Sequence, residues 1–195
     1  MRSERSGIPG LQERATCVRC GDGSTTISMI HMKQKETDET LISVDRHLSN
    51  PTDSNQRVLF ICTGNFYRSR FAEAIFNHHA EQRRIAWTAF SRGLAIHLAE
   101  GYLSSFAAEA LKARQIDLRH TGISRMQLFE MDLDNSTRRI ALDRFEHFTM
   151  MVKLFPGWED RIEYWEVPDL PYRSAEEALP EIERKVIQLL DEVPK

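Results

Sequence analysis

The sequence predicts an α/β fold, a single domain in which a four-stranded parallel sheet is flanked by helices on both faces, preceded by a disordered N-terminal extension. From Arg57 onward, short apolar runs alternate with stretches of helical period, an order that demands crossover connections and therefore parallel strands. The 10 Phe, 4 Tyr and 3 Trp all fall at Phe60 or later. Residues 1–56 thus lack the large side chains whose burial offsets the entropy of ordering, and 57–195 is the expected domain.

Val58-Leu-Phe-Ile61 is a continuous apolar run of the kind found in a strand covered on both faces. The spacing then predicts a helix from Arg68 to about Ala80, with Phe71, Ala74, Ile75 and His78 on one face. A second strand is expected at Ile85–Phe90 and a second helix at Gly101–Arg114, with Leu103, Phe106, Ala107, Ala110 and Leu111 as its stripe. Arg139–Leu142 and Ile162–Val167 supply two more strands. The last helix opens near Pro180, a residue tolerated in a first turn, and carries Ile182, Val186, Leu189, Leu190 and Val193. Ser174-Ala-Glu-Glu177 has the pattern of a capping box one turn earlier.

Composition narrows the function. With 195 residues, 41% hydrophobic and 28% charged at a net charge of −3, the chain can bury one core of ordinary size but offers no basic field for nucleic acid. No apolar run approaches the roughly 18 residues of a membrane helix, and the polar start, with no apolar stretch behind it, is not a secretory signal. A cytoplasmic protein is expected. Three cysteines, an odd number, argue against a disulfide framework and for a reactive thiol. Cys17-Val-Arg-Cys20 has redox or zinc spacing, but it lies in the aromatic-free stretch without a βαβ context, a second pair or a nearby set of His ligands.

Cys62 is different. In parallel α/β folds ligands bind at the carboxyl ends of strands, where a loop feeds a helix N-terminus. The first strand runs straight into Cys62-Thr-Gly-Asn-Phe-Tyr-Arg68-Ser69, which puts a thiol at the strand end and an arginine six positions later at the helix start. The intervening residues can wrap a tetrahedral anion with backbone N–H groups pointing inward, the helix dipole adds to the field, and the guanidinium forks onto two oxygens. The same donors would stabilise a thiolate, and Ser69 can donate to the sulfur. Gly64 suits a close approach or positive φ, and Asn65 tolerates the left-handed conformation while tying the loop together with its side chain.

Val58-Leu-Phe-Ile-Cys-Thr-Gly-Asn-Phe-Tyr-Arg-Ser-Arg-Phe-Ala-Glu-Ala-Ile-Phe76 closely resembles the signature segment of the low-molecular-weight protein tyrosine phosphatases. Trp165-Glu-Val-Pro-Asp169-Leu-Pro-Tyr172 is similar to that family's acid loop, and Ser91-Arg-Gly93, His120 to Leu128 and Ala141-Leu-Asp143 also agree. The resemblance covers 58–193. It implies that Cys62 attacks phosphorus to form a phosphocysteine, while Arg68 and the loop amides of Thr63, Gly64, Asn65, Phe66, Tyr67, Arg68 and Ser69 hold the phosphoryl oxygens. Asp169 then protonates the leaving phenolate and afterwards activates water. No metal or cofactor is implied, and the substrate is a phosphotyrosine-containing protein. Asp143 and Asp160 are second choices for the acid, and Tyr172 and Trp165 are candidates for the walls of the substrate cleft.

The sequence departs from the family pattern in four places. Tyr67 stands where family loops often carry a second cysteine, so a protective disulfide with the nucleophile is lost. Arg70 replaces a proline and is expected to alter only the first helical turn. Leu170 separates Asp169 from Pro171. Phe66 is bulky at a pocket-facing position and favours a flat aryl phosphate over phosphoarginine. Of the histidines, His78 and His79 read as one half-buried and one solvated residue, while His97, His120 and His147 show no partner. Two rivals remain, an arsenate reductase on the same fold and a non-catalytic phosphate or phosphoprotein binder. The relay reductases need cysteines downstream, of which there are none after Cys62, and a binder has no use for the acid. Nothing in the sequence signals an oligomeric state.

Overall fold

The computed structural model describes residues 56–194, so the extension, with Cys17 and Cys20, lies outside the described residues. Four parallel strands, β1 (Arg57–Cys62), β2 (Thr88–Gly93), β3 (Arg138–Ala141) and β4 (Glu163–Tyr164), form one sheet in the order β2-β1-β3-β4. Five α-helices connect and follow them: α1 (Arg68–Arg83), α2 (Ser105–Ala113), α3 (Glu130–Asp134), α4 (Arg144–Leu154) and α5 (Ala175–Glu192). The chain builds to one side of β1, then crosses to the other, so the end of β1 is the switch point where such sheets open a crevice.

Alternation along β1 explains its apolar run. Val58 and Phe60 enter one core, with Phe71, Ile75 and Phe76 of α1 and Val186 and Leu190 of α5. Leu59 and Ile61 enter another on the opposite face, with Phe90, Leu133, Met151 and Trp158. Burial on both faces leaves β1 the most constrained strand, and its register to β2 runs unbroken from Arg57↔Thr88 to Cys62↔Gly93.

Several elements differ from expectation. β2 starts at Thr88 instead of Ile85, because Ile85 and Trp87 are buried in the core before the chain reaches the ladder, whose first partner is Arg57. α1 continues to Arg83, where Arg84 closes it in the left-handed conformation at φ 55°. α2 starts at Ser105, since Ser104 caps it by accepting from the Ala107 N–H at 3.3 Å. β3 begins and ends one residue earlier than read. β4 keeps only two residues because β3 offers it only Ile140 and Ala141 as partners. α5 begins at Ala175, which puts Pro180 inside the helix; Ser174 occupies the cap position without a side-chain bond, so the capping box does not form. α3 and α4 were not anticipated. No helix among the described residues is long and apolar enough to cross a membrane.

Candidate active site

Cys62 ends β1 and is buried. Its Sγ lies 2.9 Å from Ser69 Oγ, in the first turn of α1. Asn65 takes the left-handed conformation at φ 48°, and its side chain ties the loop down on three sides. Nδ2 donates to Ser69 Oγ (3.2 Å) and Ser91 Oγ (2.8 Å), and Oδ1 accepts from the Met126 N–H (2.8 Å). Gly64 serves close approach: a Cβ there would meet the Ala99 Cβ at 2.9 Å. At the end of β2, a Cβ on Gly93 would lie 2.9 Å from both Asn65 N and Thr63 O, so β2 closes directly against the loop.

Among the described residues, none accepts a hydrogen bond from the backbone N–H groups of Gly64, Asn65, Phe66 or Tyr67. Buried or half-buried amides without partners are costly unless a ligand supplies acceptors. With the N-terminus of α1 immediately following, the loop has the donors to take an anion above the thiol at its base.

Arg68 is only 1% exposed. Its Nη1 donates to Val167 O (3.0 Å), and its Nη2 donates to Glu146 Oε2 and Asp169 Oδ2, both at 2.7 Å. Burial works against its charge, yet Cys62, Glu146 and Asp169 outweigh burial and raise its pKa above the ordinary value. Asp169 therefore faces the loop across the crevice despite the interposed Leu170. Its other oxygen accepts from the Leu170 N–H at 2.8 Å.

Glu146, in the first turn of α4, had no signal in the sequence. Its Oε1 accepts from Thr63 Oγ1, and its position is set by Asp143, which caps α4 through the Glu146 N–H at 3.0 Å. Burial pushes its pKa up, but Arg68, then His147 and Thr63, bring it below the usual carboxylate value. His147 does have a partner: Nδ1 accepts from the Asp143 N–H at 3.0 Å, and Nε2 lies 3.4 Å from Glu146 Oε2. Burial pushes its pKa down to about 4.

A crevice of about 810 Å³ opens over Cys62. Phe66, Leu98, Phe106, Phe145, Leu170 and Tyr172 give it apolar walls, with Tyr172 86% exposed at the rim. Tyr67 also lines it, with a buried hydroxyl whose pKa is pushed up to about 12 by burial and then by Asp169. Trp165, put forward as a wall, instead sits in the core with its ring 5.8 Å from that of Phe60. Residues of equal parity beyond β4 turn inward, as buried Val167 does too. Asp143 lines the crevice as the cap of α4, and Asp160 is exposed away from it.

Arg70 requires a correction. Far from affecting one turn only, it is fully buried, with Nε donating to Thr121 Oγ1 at 2.7 Å, Nη2 donating to Gly122 O and the guanidinium 4.9 Å above the Tyr102 ring. Beside it, Glu73 accepts from Ser91 Oγ (2.6 Å), Thr121 Oγ1 (3.0 Å) and the Gly122 N–H (3.1 Å). Burial raises the Glu73 pKa, with these donors opposing. Through Ser91, this buried pair supports Asn65 and hence the loop. His78 and His79 are both half-buried, His120 Nε2 sits 3.3 Å from Glu81, and His97 is exposed. Among the described residues, no group of three or more His, Cys, Asp or Glu is arranged to hold a metal ion.

An anion loop with a thiol at its base, fed by the central strand of a parallel sheet and faced by a carboxylate, defines a phosphatase class. Residues 57–195 match the family model for low molecular weight phosphotyrosine protein phosphatase. The chain belongs to that family and is a protein tyrosine phosphatase. Its fold is similar to the low molecular weight protein tyrosine phosphatase from T. tengcongensis, with 29% identity and a TM-score of 0.61 over 71% of this chain and 99% of that one. It is also similar to YfkJ from Bacillus subtilis, with 27% identity and a TM-score of 0.59 over 69% and 92% of the respective chains. SP-PTP from Streptococcus pyogenes, at 20% identity and a TM-score of 0.61, shares the fold over 72% of this chain and 94% of its own. No curated protein matches the sequence.

Proposed function

We propose that residues 57–195 form a cytoplasmic catalytic domain that hydrolyses phosphotyrosine in proteins through a phosphocysteine. The observation that carries the reading is convergence: the Cys62 loop with its unpartnered amides and the Asp169 carboxylate line one apolar crevice, and buried Arg68, 101 residues from Asp169 in sequence, bonds that carboxylate. The Cys62 thiolate attacks phosphorus in line. As the S–P bond forms, the P–O bond to the phenolate breaks, and that oxygen takes the proton of Asp169. Water then attacks the phosphocysteine and gives its proton to Asp169; the P–S bond breaks and the thiolate is regenerated. Arg68 and the amides from Thr63 to Ser69 hold the non-bridging oxygens throughout, supplying the positive field at which charge develops. The apolar walls, with Phe66 and Tyr172, suit a flat aryl group.

Hydrolysis of an aryl phosphate by wild type, Cys62→Ser and Asp169→Asn tests this. Cys62→Ser abolishes turnover while still binding phosphate; full activity in that variant would end the proposal. Unchanged activity in Asp169→Asn would remove only the acid assignment.

A further inference from the structure

The hydrogen bonds of Arg68 show that it cannot hold phosphate on a two-pronged fork as it stands. A guanidinium offers a two-pronged fork only along edges that present parallel N–H groups, Nε with Nη2 or Nη1 with Nη2, so either fork needs an Nη2 hydrogen. Nη2 has two, and both are taken, one by Glu146 Oε2 and one by Asp169 Oδ2. A phosphate held by the fork must therefore displace one carboxylate.

The two are held unequally. Among the described residues, the Asp169 carboxylate otherwise accepts only from the N–H of its own neighbour Leu170, and the side chain is 38% exposed on the stretch between β4 and α5. Glu146 is fastened at both oxygens, Oε1 by the Thr63 hydroxyl and Oε2 by Arg68. His147 Nε2 lies 3.4 Å from Oε2 without a hydrogen bond to it. Glu146 also stands on the first turn of a helix whose start Asp143 fixes.

We infer that incoming phosphate takes the place of Asp169 on Arg68, while Glu146 remains as the fixed partner that orients the guanidinium. Glu146 is then a positioning residue, and Asp169 alternates between Arg68 and the leaving-group oxygen. One event, phosphate binding, frees the acid. The inference rests on the phosphatase reading above for the identity of the anion and of the acid.

Binding of inorganic phosphate to Cys62→Ser protein, measured by calorimetry, tests it without turnover. Adding Glu146→Ala weakens binding about tenfold, the scale of one lost charge-assisted hydrogen bond. Glu146→Gln retains the parent affinity or improves on it, because its amide oxygen still accepts from Nη2 and its N–H still reaches Thr63. Glu146→Asp, too short to span Thr63 and Arg68, weakens binding as alanine does and serves if the alanine variant fails to fold. Asp169→Ala leaves affinity equal or tighter, since a competitor for Nη2 is gone. Tighter or unchanged phosphate binding in both Glu146→Ala and Glu146→Asp overturns the inference, as does a glutamine variant no better than alanine or a weakened Asp169→Ala. A parent that binds phosphate, in a protein whose wild type turns over no aryl phosphate, would count against the phosphatase reading and not against this ranking. A parent that binds no phosphate overturns both.

Discussion

The two walls of the crevice are built in opposite ways. One, from Cys62 to Ser69, is a single contiguous turn between a strand and a helix; the other gathers Glu146 and Asp169 from segments 78 and 101 residues away from Arg68. The first wall is nearly all backbone and is braced from behind by Asn65, Ser91, Glu73 and Arg70. The second is side chains alone. Anion binding can thus be encoded locally, whereas proton transfer and the orientation of Arg68 depend on the fold bringing distant carboxylates to one guanidinium.

Substitutions on each wall separate anion binding from proton transfer. The largest effect falls on the contiguous wall, where Cys62→Ser removes turnover altogether, read as release of an aryl phenolate. On the opposite wall, Asp169→Asn lowers kcat by about 10²–10⁴, most for poor leaving groups, which a series of substituted phenyl phosphates will show. Behind the contiguous wall, Arg70→Ala leaves Glu73 buried without its cation and costs about 3–5 kcal/mol of stability by denaturant titration. If the brace works as described, an Arg70→Lys variant recovers part of that loss.

Behind the opposite wall, His147 sharpens the contrast through pH. Burial pushes its pKa down from 6.5 to about 4, so between those values the unfolded chain binds a proton that the folded protein does not. Stability contributed by the neutral ring is therefore full above pH 6.5 and falls on acidification toward pH 4, by on the order of 3 kcal/mol. Thermal unfolding of wild type and His147→Gln across that range reads the difference, and the variant should show the flatter profile. The smallest effect belongs to Asn65→Ala, which gives up the side-chain ties of the loop and a residue suited to positive φ, at about 2 kcal/mol. Because the brace meets the loop at this residue, its kcat/KM should fall further than its stability.

This division also explains what could be read in advance. β1, the loop and the start of α1 were legible because the apolar run, the Cys-to-Arg spacing and the helical period are all local. Asp169 was legible only by likeness to an acid loop. Glu146 was not, since its role comes from the nearness of the first turn of α4 to Thr63, and α4 itself was hidden by an irregular stripe that includes the 92% exposed Phe145. Trp165 was misassigned because an aromatic residue beyond a strand end can turn to either face, and here its parity sends it into the core. The reach of Arg70 beyond the first helical turn was not legible because its partners, Thr121 and Gly122, lie about fifty positions away.

The central claim is that Cys62 carries the phosphoryl group between two displacements. Rapid quenching of the Asp169→Asn protein with an aryl phosphate, followed by peptide mass spectrometry, tests it most directly. The account predicts phosphate on the Cys62 peptide and none in Cys62→Ser. Turnover with no label on Cys62, or label that persists on another residue in Cys62→Ser, would contradict it.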